Sequence, residues 1–389
     1  MEQVKTAVIG IGNMGTAHAV CLAEGRIEGA VLTAVCDIRP ERLADFHTRY
    51  PKVACYSSED ELLASGAAQA AVIAVPHPLH SEMAIKALNA GWHVLVEKPV
   101  DVRLSRARAL CETAKKSGRV FALMLNQRTN PLFRKAREIV RGGQLGALKR
   151  SVWIVTNWYR TQHYYDSGAW RATWAGEGGG VLLNQCPHQL DLLQWLCGLP
   201  VRVRAACHEG KWHDIEVEDD VTAYLEFANG ATGTFIASTG DALGENRLEI
   251  IGTRARIRIE NDQLTLDTLS VDERDWCPVC KEPFGVPEIQ HEIVQTDGEN
   301  PQHAGVLNAF AAHILHGTPL VADGREGIRG LMLSNAMHLS SWTGKPVSLP
   351  IDEGEFARLL AEKRLHSRKK QVKEVTFATD HSGTGRAEG

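Results

Sequence analysis

No stretch constrains this chain more than Gly10-Ile-Gly12-Asn13-Met14-Gly15. A β-branched run, Val4 to Ile9, leads into it, and an alanine-rich stretch of helical character, Thr16 to Glu24, follows. Strand, tight turn and helix in that order read as the opening of a dinucleotide-binding unit. Gly10 permits the turn, Gly12 lets backbone approach a pyrophosphate, and Gly15 lets helix pack on strand, while the helix N-terminus attracts the phosphates. A second strand, Ala30 to Cys36, ends on Asp37. A carboxylate roughly twenty residues past the glycines accepts hydrogen bonds from the adenosine ribose and repels a 2′-phosphate. NAD is therefore expected in preference to NADP, although Arg39 could neutralise such a phosphate.

Strand and helix signals keep alternating. Ala70 to Val75 reads as a strand ending at Pro76-His77-Pro78, Leu79 to Ala90 as a helix stopped by Gly91, and His93 to Val96 as the next strand. Helix Leu104 to Lys116 is closed by Gly118, and Val120 to Leu125 is again extended. Such repeats build a parallel, doubly wound sheet whose ligands sit at the carboxyl ends of the strands. Pro76, His77, Glu97, Lys98 and Asn126 all fall at such ends and are expected to share one crevice. Lys98 closes the run Val94-Leu95-Val96-Glu97-Lys98-Pro99. An ammonium fixed beside a bound dinucleotide suits hydride chemistry on a carbinol, because it stabilises the developing alkoxide or takes its proton.

The pattern changes after Asn130. A helix, Pro131 to Arg141, gives way to short alternating strands: Val201 to Cys207, Val221 to Phe227, Thr232 to Ala237, Arg247 to Ile251 and Ala255 to Ile259. Asn229-Gly230 between two of them is a strong hairpin signal. Two helices follow, one with Leu307, Phe310, Ala311, Ile314 and Leu315 on one face, the other from about Gly324 to Thr343. The expected organisation is α/β: a Rossmann-type parallel sheet over 1–125, then an α+β substrate-binding and oligomerisation domain with a large, mostly antiparallel sheet over 126–378, then a mobile tail, 379–389. A length of 389 residues is too great for one core.

Composition excludes several classes. Forty-three Lys and Arg against 47 Asp and Glu leave a formal charge of −4, with no basic block for nucleic acid. No apolar run reaches membrane-spanning length, and the start carries no leader pattern, so a cytoplasmic protein without membrane partners is expected. The nine cysteines read as reduced thiols. Cys277-Pro-Val-Cys280 has zinc-ligand spacing but no second pair, so no metal is expected.

A second chemical cluster runs from Gly178 to Trp195, Gly-Gly-Gly-Val-Leu-Leu-Asn184-Gln-Cys-Pro187-His188-Gln-Leu-Asp191-Leu-Leu-Gln-Trp. Pro187 belongs in a first helical turn, so a helix starts near it. His188, Asp191, Leu192 and Trp195 then share a face. The glycine run and Asn184 mark His188 as a candidate catalytic residue.

With both clusters in view the chain resembles the Gfo/Idh/MocA family, that of glucose-fructose oxidoreductase and inositol dehydrogenase. The similarity is carried by Gly10 to Gly15, Ala74-Val75-Pro76-His77-Pro78-Leu79-His80, Ala90 to Pro99 and Gly178 to Trp195. The resemblance implies a nicotinamide-dependent oxidoreductase acting on a carbinol of a sugar, inositol or polyol. It implies a cofactor site that includes Asn13, Met14, Val75, Pro76, His77 and His80, with Glu97 and Asn126 on the nicotinamide side. It implies that Lys98 and His188 flank the reacting oxygen. The family often has Asp four residues before the histidine, where this chain has Asn184, which holds no charge. The resemblance also implies a homodimer or homotetramer.

The stretch before the glycine run mixes aromatic and polar side chains: Trp158, Tyr159, Arg160, His163, Tyr164, Arg171 and Trp174. A sugar ring, apolar on its faces and polar at its rim, suits such a surface. The expected substrate is a sugar, glycoside or inositol, with C3 oxidation of a glycoside as the specific candidate. Two other activities stay open: a glycosidase- or lyase-like use of NAD with no net redox change, and a non-enzymatic sugar or dinucleotide sensor.

Overall fold

The computed structural model describes residues 2–368 and 370. The expected mobile tail, 379–389, lies outside them. The first third alternates strands β1 (Val4–Ile9), β2 (Ala30–Cys36), β3 (Ala54–Tyr56), β4 (Ala70–Ile73), β5 (His93–Val96) and β6 (Phe121–Leu123) with helices α1 (Asn13–Ala23), α2 (Pro40–Arg49), α3 (Glu59–Ala64), α4 (His80–Asn89) and α5 (Leu104–Ser117). All six strands are parallel, in the order β3-β2-β1-β4-β5-β6. Near-continuous apolar strands such as Ala70–Ile73, buried throughout, are what a sheet covered on both faces requires. The order reverses direction between β1 and β4, and the crevice that accepts ligands opens there.

Helix α6 (Pro131–Arg141) begins the rest of the chain. Asn130 caps it by accepting from the Leu132 amide at 2.9 Å, with Pro131 in the first turn. Then come β7 (Leu148–Val155), the short α7 (Gln162–Asp166), α8 (Pro187–Cys197), β8 (Arg202–Glu209), β9 (Glu218–Glu226), β10 (Thr232–Ser238), β11 (Asn246–Gly252), β12 (Ala255–Glu260), β13 (Gln263–Leu269), the short α9 (Glu273–Trp276) and β14 (Ile289–Val294). Helices α10 (Gln302–His316) and α11 (Gly327–Thr343), β15 (Val347–Ser348) and α12 (Glu353–Leu365) complete it. The nine strands form one sheet, β14-β13-β12-β11-β7-β10-β9-β8-β15. Among the described residues every pairing in it is antiparallel except β10 with β7.

The expected elements are present with shifted ends. Helix α1 starts at Asn13 rather than Thr16, because residues after Gly12 already take helical geometry. The strand expected over 120–125 is only Phe121–Leu123, since Asn126–Thr129 winds into a 3₁₀ turn. The helix expected from Gly324 begins as a 3₁₀ turn at Gly324–Glu326. Strand β7 is not among the expected strands; its buried positions alternate only from Ser151 on.

The two sheets share one core. Ile73, Val96 and Leu123 of the first meet Trp153, Phe235 and Leu333 of the rest in a continuous buried cluster. The opposite face of the first sheet, with Val8, Leu32 and Leu95, is covered by Leu22 of α1 and by Val306, Leu307 and Phe310 of α10. The first sheet is thus completed by a helix from the far end of the chain.

Candidate active site

The glycine turn has the shape a dinucleotide needs. A Cβ on Gly15 would sit 1.8 Å from the Gly10 carbonyl oxygen, so only glycine lets α1 meet the turn this closely. A Cβ on Gly12 would instead meet nothing nearer than a guanidinium nitrogen of Arg42 at 3.8 Å. The packing leaves Gly12 open, as a backbone that must face a pyrophosphate requires. Helix α1 begins without a side-chain cap, so its first amides point to the same space, and Asn13 and Met14 lie half-buried in that turn. Asp37 is buried and accepts from the Ile11 amide at 2.9 Å and the Arg39 amide at 3.0 Å, with Arg42 at 3.3 Å. These bonds fix its carboxylate beside the turn. The residues present therefore fit NAD.

Strand ends supply the rest. Glu97 follows β5, is buried, and is bonded by His18 Nε2 at 2.7 Å. Burial alone would raise its carboxyl, but the His18 bond and the charges of His18, His303 and Lys98 more than offset that and hold it well below the usual range. Lys98 is half-buried, and its Nζ donates to the Asn184 carbonyl at 2.8 Å. A narrow void of about 20 Å³ beside it is lined largely by apolar side chains, among them Pro99, Leu125, Leu182 and Pro187. Burial there pushes the ammonium below its ordinary value, while Glu97 and Glu177 pull it back.

His188 lies in the first turn of α8, behind Pro187 as expected. It is 8 % exposed and its Nδ1 has no partner. Burial, then the charges of Lys98 and His303, holds this imidazole well below its usual value, so it is neutral near pH 7. His77 is depressed in the same way, by burial and then by His80 and Lys98, and its Nδ1 is also unpartnered. Asn126 donates to Gln302 and leaves its Oδ1 buried without a partner. Orphaned ring nitrogens on His77 and His188, both within the field of Lys98, are what a site built to meet a ligand shows.

Other expected residues take supporting places. Both ring nitrogens of His80 lie against backbone oxygens, of Pro99 at 2.6 Å and of Val75 at 2.7 Å, so the ring braces the ends of β4 and β5. Pro76 precedes the 3₁₀ turn that carries His77. Asp191 is bound in a fork by the buried Arg128, at 2.7 Å to each oxygen, and Arg128 also holds Glu326 at 2.9 Å.

The aromatic stretch divides. Tyr164 lies under Arg160 and Arg171, at 5.1 and 4.5 Å from its ring centre, and its hydroxyl accepts from Arg171 at 2.7 Å. Trp170 meets His77 edge-on at 5.7 Å, joining this stretch to the strand ends. Trp158 is buried with an unpartnered Nε1. Tyr159 and His163 are exposed. Trp174 departs from expectation: it packs on His338 and Trp342 at 5.6 and 5.5 Å and lines a separate cleft of about 630 Å³ with Glu209, Glu216 and Lys363.

Sequence reading missed four groups. Glu177 is 1 % exposed, receives the Ala172 amide at 2.6 Å and the Asn184 side-chain amide, and burial pushes its carboxyl up to about 7. Glu218, fully buried, accepts from the Gly180 and Leu182 amides at 2.9 and 3.0 Å and so holds the glycine run. A Cβ on Gly180 would meet the Glu218 carbonyl at 1.9 Å, which explains that glycine. Arg128, and Gln302 with His303 of α10, had no local signal. Among the described residues no group of three or more His, Cys, Asp or Glu side chains could hold a metal ion, and no helix is long and apolar enough to cross a membrane.

Comparison with known proteins places the fold. Residues 4–125 match the family model described as an oxidoreductase family with an NAD-binding Rossmann fold, and residues 133–258 match the GFO/IDH/MocA C-terminal domain. A myo-inositol 2-dehydrogenase of Thermotoga maritima is 25 % identical over 89 % of this chain and 98 % of its own length. A D-glucoside 3-dehydrogenase of Escherichia coli is 24 % identical over 82 % of this chain and 90 % of its own. The crystal structure of the WlbA dehydrogenase from Bordetella pertussis, in complex with NADH and UDP-GlcNAcA, superposes with a TM-score of 0.76 at 25 % identity, covering 90 % of this chain and 100 % of that one. Glycine turn, strand-end lysine, helix-borne histidine and these likenesses lead to one conclusion: the chain belongs to the GFO/IDH/MocA family of oxidoreductases and carries its NAD-binding Rossmann fold.

Proposed function

We propose that this oxidoreductase transfers a hydride between NAD and a secondary hydroxyl of a sugar, glycoside or inositol. One observation carries the reading: a cation at the end of β5 and an imidazole kept neutral at the start of α8 lie within each other's field, among unpartnered polar atoms. Bound NAD would supply the hydride-accepting ring; the protein supplies geometry and field. His188, neutral near pH 7, takes the hydroxyl proton. Lys98 donates to the same oxygen and stabilises the negative charge as it develops. Asn126 and Glu97 hold the nicotinamide side, and Asp37 the ribose. Tyr164 between its two arginines, with Trp158 and Trp170, offers the mixed apolar and polar surface a sugar ring requires.

The inositol and glucoside activities named for the two relatives support the substrate class, and C3 of a glycoside is the position we put first. Exposed apolar side chains on the second sheet, Tyr224 on β9 and Ile289 and Ile293 on β14, support assembly as a homodimer or homotetramer. The test is to mix the protein with NAD and a panel of sugars, glycosides and inositols while following absorbance of the reduced cofactor. Reduced cofactor forming with at least one of these supports the reading. Cleavage of a glycoside with no net NADH would point to transient oxidation instead, and silence across the panel would overturn both.

A further inference from the structure

Asn184 joins Lys98 to Glu177, a buried carboxylate. Its carbonyl accepts from Lys98 Nζ at 2.8 Å, and its side-chain amide donates to a Glu177 oxygen. The other Glu177 oxygen accepts from the Ala172 amide at 2.6 Å. Glu97, the second carboxylate whose charge acts on Lys98, is tied to His18. Glu177 is 1 % exposed, so its charge is little screened by water. We infer that Glu177, acting through Asn184, is a positioning residue that sets how firmly Lys98 holds its proton.

The surroundings agree. Groups facing Glu177 are Lys98, Arg171, Glu218 and Tyr165, and its backbone hydrogen-bonds the His77 ring. Those facing Lys98 are Glu97, Glu177, Arg171 and Cys186, with the rings of His77 and His188. Burial pushes Glu177 up to about 7 and pushes Lys98 down, and each charge favours the other. The protonation of each therefore depends on the charge of the other. When Glu177 is ionised, Lys98 keeps the proton it needs to meet an alkoxide. When Glu177 is protonated, that support is gone. The pairing supplies a buried carboxylate that the amide of Asn184 cannot itself provide.

The inference deepens the proposed function and rests on it for its catalytic consequence, but its test uses no substrate. In full-length, NAD-bound protein with isotope-labelled lysines, the Lys98 side-chain resonance, assigned with Lys98→Met, is titrated by NMR. NADH fluorescence reports folding of each variant. Glu177→Gln is expected to lower the Lys98 midpoint by at least about one pH unit, a tenfold loss of proton affinity. Glu177→Asp, which keeps the charge, should move it less, and Asn184→Ala should move it the same way as Glu177→Gln. Coincident midpoints in wild type and Glu177→Gln would overturn the inference, as would Glu177→Asp shifting as far as Glu177→Gln. Should Glu177→Gln fail to bind NADH, Asn184→Ala decides, and an unchanged midpoint in it overturns the inference.

Discussion

Lys98 Nζ reaches the backbone carbonyl of Asn184 at 2.8 Å, joining residues 86 positions apart in the chain. The cation at the end of β5 is thereby seated on the segment that runs into α8. The orientation of Lys98 and the start of the His188 helix are consequently set together, and a shift in either is felt by the other.

Lys98→Met is expected to lower kcat by about 10²–10⁴-fold, the range of a lost proton-handling group. Methionine keeps the apolar stem in its seat, so NADH binding by fluorescence should change little. Equal turnover in variant and wild type would remove Lys98 from the chemistry.

Two glycines one turn apart should behave differently. Gly12→Ala meets no atom within 3.4 Å and should fold, yet its methyl would occupy the open side of the turn and weaken NADH binding. Gly15→Ala drives a methyl into the Gly10 carbonyl and should lose folded protein altogether. Thermal unfolding and NADH titration separate the two.

Asp37→Ser removes the carboxylate and keeps the Arg42 guanidinium, which lies 3.3 Å from it, beside the glycine turn. Losing a charged hydrogen-bond acceptor costs about 1.5–3 kcal/mol, so the preference for NAD over NADP should drop by roughly ten- to a hundredfold. The ratio of kcat/KM for the two cofactors measures it.

Acid should discriminate wild type from His188→Asn. Folded His188 resists protonation, whereas the unfolded chain takes up that proton at about 6.5. The group's folded value lies below its unfolded one, so its cost is absent above pH 6.5 and grows as pH falls through it. The stability of wild type relative to the variant should fall by up to about 2 kcal/mol between pH 6.5 and 5. Parallel denaturation curves at both pH values would contradict a buried, neutral ring.

Arg128→Met strands Asp191 in the core without its partner. Breaking a buried pair from one side costs about 3–5 kcal/mol, visible as a lower denaturation midpoint. Arg128→Met with Asp191→Leu should recover much of the loss, which would mark the pair as structural.

The sequence disclosed what is local. The glycine turn, the strand ending at Glu97 and Lys98, the Pro187 helix start and the Asn229-Gly230 hairpin each have a short-range cause, and each lies where expected. Arg128 and His303 were invisible because their importance comes from groups far along the chain, such as Asp191, 63 positions from Arg128, and Glu97 for His303. A glutamate before three glycines carries no mark of burial. Trp174 packs on His338 and Trp342, and aromatic crowding in sequence does not say which way a loop folds.

Covering the first sheet with Val306, Leu307 and Phe310 has a cost during synthesis. The ribosome finishes β6 long before it makes α10. At about 5–20 residues per second, the nascent nucleotide-binding layer waits on the order of ten seconds or more with part of an apolar face uncovered. Chaperone engagement on translating ribosomes should therefore peak in that interval and end once α10 emerges.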